Sequence, residues 1–173
     1  APINQDDSWF ATATIEQVGD ANDADINQID ISDNTNGSIQ QIGGTFSSVA
    51  SIDQDAALSS DASIVQSAST DADASITQTS GVNLQADITQ NNLIGSVATV
   101  TQTNINNTAT VLQDDSWFAT ATVDQTGADN TADISQVAIS DGATATILQS
   151  GDNNDGSISQ DFSWLSSALI DQS

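Results

Sequence analysis

The only ionisable side chains in this sequence are carboxylates: 24 Asp and Glu residues stand against no Lys, Arg, His, Cys or Tyr, for a formal charge of −24. Composition alone therefore excludes a thiolate nucleophile, an imidazole base, a lysine Schiff base, a disulfide and a thiolate metal centre. Carboxylates by themselves support two chemistries. Paired as acid and nucleophile they hydrolyse glycosides, and grouped they ligate hard cations through oxygen. No acid here stands apart from its neighbours in setting, and the chain is expected not to be an enzyme. For Ca²⁺ the candidates are the adjacent acids Asp6, Asp7, Asp114 and Asp115, with Asp71 and Asp73 as a further pair. No EF-hand loop or Gly-Asp calcium nonapeptide accompanies them, and the competing reading is a solvated acidic surface that keeps a secreted chain soluble or suits it to salt. No other cofactor is expected. A polyanion without a cation is repelled by nucleic acid and by anionic lipid headgroups. No run reaches the roughly 18 apolar residues of a membrane span, so neither nucleic-acid binding nor membrane insertion is expected.

The side chain that recurs at fixed spacing is an uncharged amide. Gln17, Gln28, Gln41, Gln54, Gln66, Gln78, Gln90, Gln102, Gln113, Gln125, Gln136, Gln149, Gln160 and Gln172 follow one another every 11 to 13 residues. Two residues before each stands a β-branched residue: Ile15, Ile26, Ile39, Ile52, Ile64, Ile76, Ile88, Val100, Val111, Val123, Ile134, Ile147, Ile158 and Ile170. Four before stands Ala, except where Gly37 and Gly156 replace it. Positions one and three before are mostly Thr, Ser, Asp or Asn, as at Asp25, Ser75, Thr99 and Asp133. A period of two puts alternate side chains on opposite faces of a strand, so Ala, Ile or Val, and Gln face in while the polar residues face out.

These side chains need elements to align them. A strand of five to seven residues and a tight turn fill a unit of about 12 residues. Turn formers fall between the motifs: Gly19-Asp20-Ala21-Asn22, Gly43-Gly44, Asn104 to Asn107, Gly127-Ala128-Asp129-Asn130 and Gly151-Asp152-Asn153-Asn154. Unbroken strand-turn repetition with no helical period predicts an all-β fold, a single-domain β-solenoid of about 14 units across residues 1–173. Stacked about 4.8 Å apart, the inward glutamines form a ladder of amide hydrogen bonds. Glu in that column would stack like charges in a dry interior, and Ala would lose the bonds.

Two strands per coil give seven rungs and three give fewer than five. Residues 5–41 align without gaps to residues 113–149, both opening on QDDSWFATAT, and the offset of 108 equals nine units. Nine divides by three, which favours a triangular coil. Columns of Ala and Ile, however, suit the gap of about 10 Å between two facing sheets, whereas a triangular lumen calls for bulkier filling. A copy landing on the opposite sheet would still fit, since every unit carries the same inward motif. Two strands per coil are preferred, with the triangular coil as the alternative. Trp9, Phe46, Trp117 and Trp164 lie eight residues before a motif Gln, as do Leu58, Val82, Ile94 and Ile105. The even offset predicts inward side chains that plug the corners, in preference to carbohydrate stacking. Phe10 and Phe118 have the opposite parity and are expected to be exposed, at contacts between subunits or filaments. The first strand is expected near residue 8, and the last motif Gln lies one residue before Ser173. Both ends of the coil are expected to be open and to template head-to-tail growth of a cross-β filament.

The stretch from Gln17 to Gln28, QVGDANDADINQ, resembles the curlin repeat, in which Gln, Gly, Asn, Ala and a second Gln recur at these offsets. Gln125 to Gln136 reads the same way, with Gly127, Asn130, Ala132 and Ile134. Gln102 to Gln113 carries Asn104 in place of Gly, and Gln149 to Gln160 carries Gly156 in place of Ala. The resemblance implies a secreted, curli-type functional amyloid subunit, a two-arc solenoid that homopolymerises into fibres of the biofilm matrix and supports adhesion. It also implies export through a dedicated outer-membrane pore and a nucleator at the cell surface. The start at Ala1-Pro2-Ile3, without Met, fits a mature terminus left by signal-peptide cleavage. The alternatives are a calcium-binding or an ice-binding extracellular solenoid. The latter is suggested by outward Thr-x-Thr pairs at Thr12/Thr14, Thr108/Thr110, Thr120/Thr122 and Thr144/Thr146, which resemble the threonine arrays of some antifreeze solenoids.

Overall fold

The computed structural model describes residues 1–173. Fifteen strands follow one another: β1 (Ile3–Gln5), β2 (Thr12–Asp20), β3 (Asp23–Ile29), β4 (Asn36–Phe46), β5 (Val49–Asp55), β6 (Asp61–Ser67), β7 (Asp73–Val82), β8 (Gln85–Asn91), β9 (Val97–Ile105), β10 (Thr108–Asp114), β11 (Thr120–Thr126), β12 (Thr131–Val137), β13 (Thr144–Gln149), β14 (Asp155–Asp161) and β15 (Ser167–Gln172). Odd-numbered strands form an eight-stranded sheet and even-numbered strands a seven-stranded one, and all pairings are parallel. Each step along the chain therefore crosses from one sheet to the other, and two strands complete a coil. The strands β2 to β15 make seven coils of a two-sheet β-solenoid.

The register follows from the repeat. Ile52 pairs with Ile26 and Ile76, Gln54 with Gln28 and Gln78, and Ala50 with Ala24 and Ala74. In the inner coils the Ala, Ile or Val, and Gln positions are buried and the residues between them half-exposed. A one-residue slip would turn this whole set outward, so the burial of one face fixes the pairing. The apolar core is a single cluster of 22 buried Ala, Ile and Val residues with no aromatic member, which is what the narrow space between two facing sheets accommodates.

The internal duplication lands on opposite sheets. Residues of β2 recur in β11 and those of β3 in β12, so nine units, an odd number, exchange the two sheets. Because both sheets present the same inward columns, the exchange requires no change of sequence.

Two expectations are corrected. The first strand is β1 at Ile3, not a strand near residue 8; Ile3 and Gln5 pair with Ile26 and Gln28. Ala1-x-Ile3-x-Gln5 is in fact a fifteenth copy of the motif. The second correction concerns the aromatics. Trp9, Phe46, Trp117 and Trp164 do not plug the corners but stand outside them, with 71%, 48%, 50% and 69% of their surface exposed. Leu58, Ile94 and Ile105 at the same offset are exposed as well. Strands begin five residues before the motif Gln, so these side chains lie ahead of the strand that carries it, and Phe46 and Ile105 end the strand before. The next residue in each case, Phe10, Ser47, Phe118 or Leu165, has a left-handed φ of 49–58°, and strict alternation does not survive such a turn. The corner interior is filled mostly by small residues such as Ala57, Ser60, Ser69, Ala72, Ser96 and Ala119, and in two places by Leu84 and Leu93, all buried.

Candidate functional site: the stacking ladders and the corners

All fourteen expected glutamines, joined by Gln5, line two continuous ladders, one per sheet. Each Nε2 donates to the Oε1 of the Gln one coil later, at 2.6–3.1 Å, from Gln5 to Gln28 through to Gln149 and Gln172. The second Nε2 proton crosses the core to a backbone carbonyl of the other sheet: Gln66 donates to Val49 O, Gln78 to Asp61 O and Gln102 to Gln85 O, at 2.9–3.1 Å. A primary amide is the one neutral side chain that accepts along the column and donates both along it and across, so the ladder both stacks the coils and ties the sheets together. Every bond has the same polarity. The last coil therefore presents the Nε2 donors of Gln160 and Gln172 outward, and the first presents the Oε1 acceptors of Gln5 and Gln17.

The corners carry a second set of polar contacts. At Gly19 and Gly127 a Cβ would run into the carbonyls of Thr45 and Gly151 in the following coil, and φ is +137° and +125°. Asn22 and Asn130, three residues on, donate Nδ2 to those same carbonyls at 3.2 and 2.8 Å. The Gly and Asn of the Gln-x-Gly-x-x-Asn string thus act together: one clears the approach of the next coil and the other bonds it. On one corner Asn107, Asn130 and Asn154 continue as a ladder, with Asn130 N donating to Asn107 Oδ1 and Asn154 N to Asn130 Oδ1, at 3.0 and 2.9 Å. Buried serines add bonds between coils, as from Ser32 Oγ to Gln54 O and from Ser140 Oγ to Gln160 O, at 2.8 and 2.9 Å. These serines lie where the turn makes parity unreadable, and sequence reasoning missed them.

No Asp or Glu is buried. Two carboxyls are nevertheless held above the ordinary carboxylate value of 3.8: Asp53 by partial burial and then by Asp55 and Asp25, and Asp87 by partial burial and then by Asp61. Of the Ca²⁺ candidates, Asp114 ends β10 and accepts a 2.9 Å bond from Asn91 Nδ2, whereas Asp115 turns into the corner with φ 51°. Asp6 and Asp7 repeat that parting, since Asp7 also takes a left-handed φ, of 52°. Adjacency in sequence therefore separates each pair, and no three acids gather where a metal ion would be held. The threonine pairs fall on both sheets. Thr120 and Thr122 lie beside Thr144 and Thr146, but Thr110 is flanked by Asp87 and Asp133, which interrupts the other array.

Comparison with protein-family models, with curated proteins and with solved structures finds no match to this chain.

Proposed function

We propose that this chain is a structural subunit of an extracellular fibre, in which copies stack end to end into a cross-β filament of the curli type that builds biofilm matrix and supports adhesion. The observation that carries this reading is the polarity of the ladders. Donors of Gln160 and Gln172 at one end match acceptors of Gln5 and Gln17 at the other, and the unpaired strand edges beside them are templates for another chain. The outward carboxylates fit an exterior that stays solvated while the neutral amide columns join. Export through an outer-membrane pore and a surface nucleator belong to the same reading, and rest on the curlin resemblance alone.

The same reading implies how copies of these 173 residues would join. After β15 in the eight-stranded sheet, the next half coil belongs to the seven-stranded sheet. A second copy continues the coil when it is turned by half a revolution, so that its β1 pairs with β14 and its β2 with β15. The duplicated segment, already present on both sheets, supports the tolerance for exchange. Electron microscopy and fibre diffraction of the purified chain test the function: filaments with a meridional spacing near 4.8 Å are expected. A monomer that persists at high concentration, or fibres lacking that spacing, overturns it.

A further inference from the structure

Two surface clefts flank the solenoid. One, of about 550 Å³, is lined by Asp115, Trp117, Ala138, Ile139, Asp141 and Phe162. The other, of about 480 Å³, is lined by Asp7, Trp9, Ile31 and Asp33. The four residues of the second match Asp115, Trp117, Ile139 and Asp141 of the first at the 108-residue offset of the internal duplication. One pocket has thus been built twice, and because nine units exchange the sheets, the copies lie at opposite corners of the coil.

The construction is the same in both. An Asp in left-handed conformation ends one coil, at Asp7 (φ 52°) and Asp115 (φ 51°). In the next coil a 13-residue unit inserts Ile31 or Ile139, with φ 64° and 65°. A β-branched residue rarely adopts that region, and conformations of this kind persist where the surroundings impose them, often at binding sites. The Trp9 backbone N–H donates to Asp33 Oδ1 at 2.7 Å, and Trp117 N–H to Asp141 Oδ1 at 3.0 Å. Each of these bonds fixes a carboxylate beside an exposed indole and leaves its second oxygen without a partner in the chain. Phe162, from the following coil, adds a third apolar wall to the larger cleft.

We propose that the clefts are two related binding sites for an organic cation of the quaternary-ammonium or alkylammonium class. An indole face attracts such a cation through its quadrupole, and each cleft adds two carboxylates that no Lys, Arg or His of this chain neutralises. The clefts contain no hydroxyl or amide side chain, and the indole N–H is the only side-chain donor. A neutral sugar, which needs donors and acceptors spread around its ring, is poorly served. The inference stands independently of fibre formation.

Choline, titrated against the intact chain and followed by tryptophan fluorescence and calorimetry, tests this. Saturable binding with two sites per chain is expected. The uncharged carbon isostere 3,3-dimethylbutan-1-ol should bind about tenfold more weakly or worse. Trp9→Ala and Trp117→Ala should each remove one site, and the double variant both, with circular dichroism verifying the fold. Asp33→Asn and Asp141→Asn, which keep the acceptor for the Trp N–H but lose the charge, should weaken choline and leave the isostere unchanged. Equal binding of the isostere, preference for cellobiose over choline, retention of binding by the double Trp variant, or no saturation at all overturns the proposal.

Discussion

Gln90 sits in the middle of its ladder, fully buried. Gln66 Nε2 donates to its Oε1 at 2.8 Å, and its own Nε2 donates to Gln113 Oε1 at 2.9 Å and to Asp73 O at 3.1 Å. Gln90→Glu keeps the shape and the acceptor but sets a carboxylate against two oxygens that have lost their donor. A loss of about 3 kcal/mol or more at pH 7 is expected, read from urea denaturation, with partial recovery when acid protonates the new group. Asp53 shows the opposite situation. Its carboxyl faces outward between Asn27 and Thr77, yet Oδ1 is covered and has no hydrogen-bond partner. Burial, then Asp55 and Asp25, raises its pKa above 3.8. The folded state therefore holds the proton more tightly than the unfolded chain, and this group adds stability as pH falls through its raised value, the gain being complete below the unfolded value. Asp53→Asn should raise stability at pH 7 by about 0.5 kcal/mol or less, the scale of a surface change, and flatten the acid-side rise in a pH series of thermal melts. That Gln90 turns in and Asp53 out was legible from alternation; the missing partner of Asp53 was not, because it depends on neighbours in adjacent coils.

At the scale of the elements, the turns set the architecture. Left-handed residues occupy the position seven before nearly every motif Gln, including Asn34, Ser59, Asn83, Asn106, Asp129 and Asn153. Asn and Gly suit that conformation; Phe10, Phe118 and Leu165 adopt it at greater cost. Gly95 has φ 63°, and a Cβ there would lie 2.7 Å from Phe118 Cδ1 in the next coil. Gly95→Ala should therefore destabilise by about 1–2 kcal/mol through backbone strain together with displacement of the ring; a shift of the urea midpoint with unchanged slope is the expected signature. Motif spacing located these turns correctly. It could not show that the chain reverses handedness within them, and so an even count from Gln17 back to Trp9 pointed inward when the side chain lies outside. Ala1-x-Ile3-x-Gln5 was equally readable, and its place in the sheet follows from the same columns that fix the other strands.

For the whole molecule, charge and symmetry govern the proposed assembly. The charge of −24 opposes stacking, and screening over about 8 Å at physiological salt is incomplete between coils about 4.8 Å apart. Growth followed by thioflavin fluorescence should accelerate as pH falls toward about 4, or as salt or divalent cations are added; indifference to all three would assign the charge another role. In fibres of these residues, helical reconstruction should give a half-revolution per subunit, beyond the twist of the coil itself, and a rise of about 36 Å, from seven and a half coils at about 4.8 Å. A subunit that repeats without rotation would overturn the sheet exchange. The sequence by itself determined which side chains enter the strand interior, because alternation is a local property of extended backbone, and it determined the ladders, because identical residues recur at one period. Only the tertiary structure decided which sheet each copy of the duplicated segment joins, that the tryptophans stand outside the corners, and that Trp9 shares a cleft with Ile31 and Asp33 of the next coil. Those outcomes depend on the sign of φ at single turn residues and on contacts between positions 22 to 24 residues apart, such as Trp9 with Ile31 and Asp33, which no local pattern encodes.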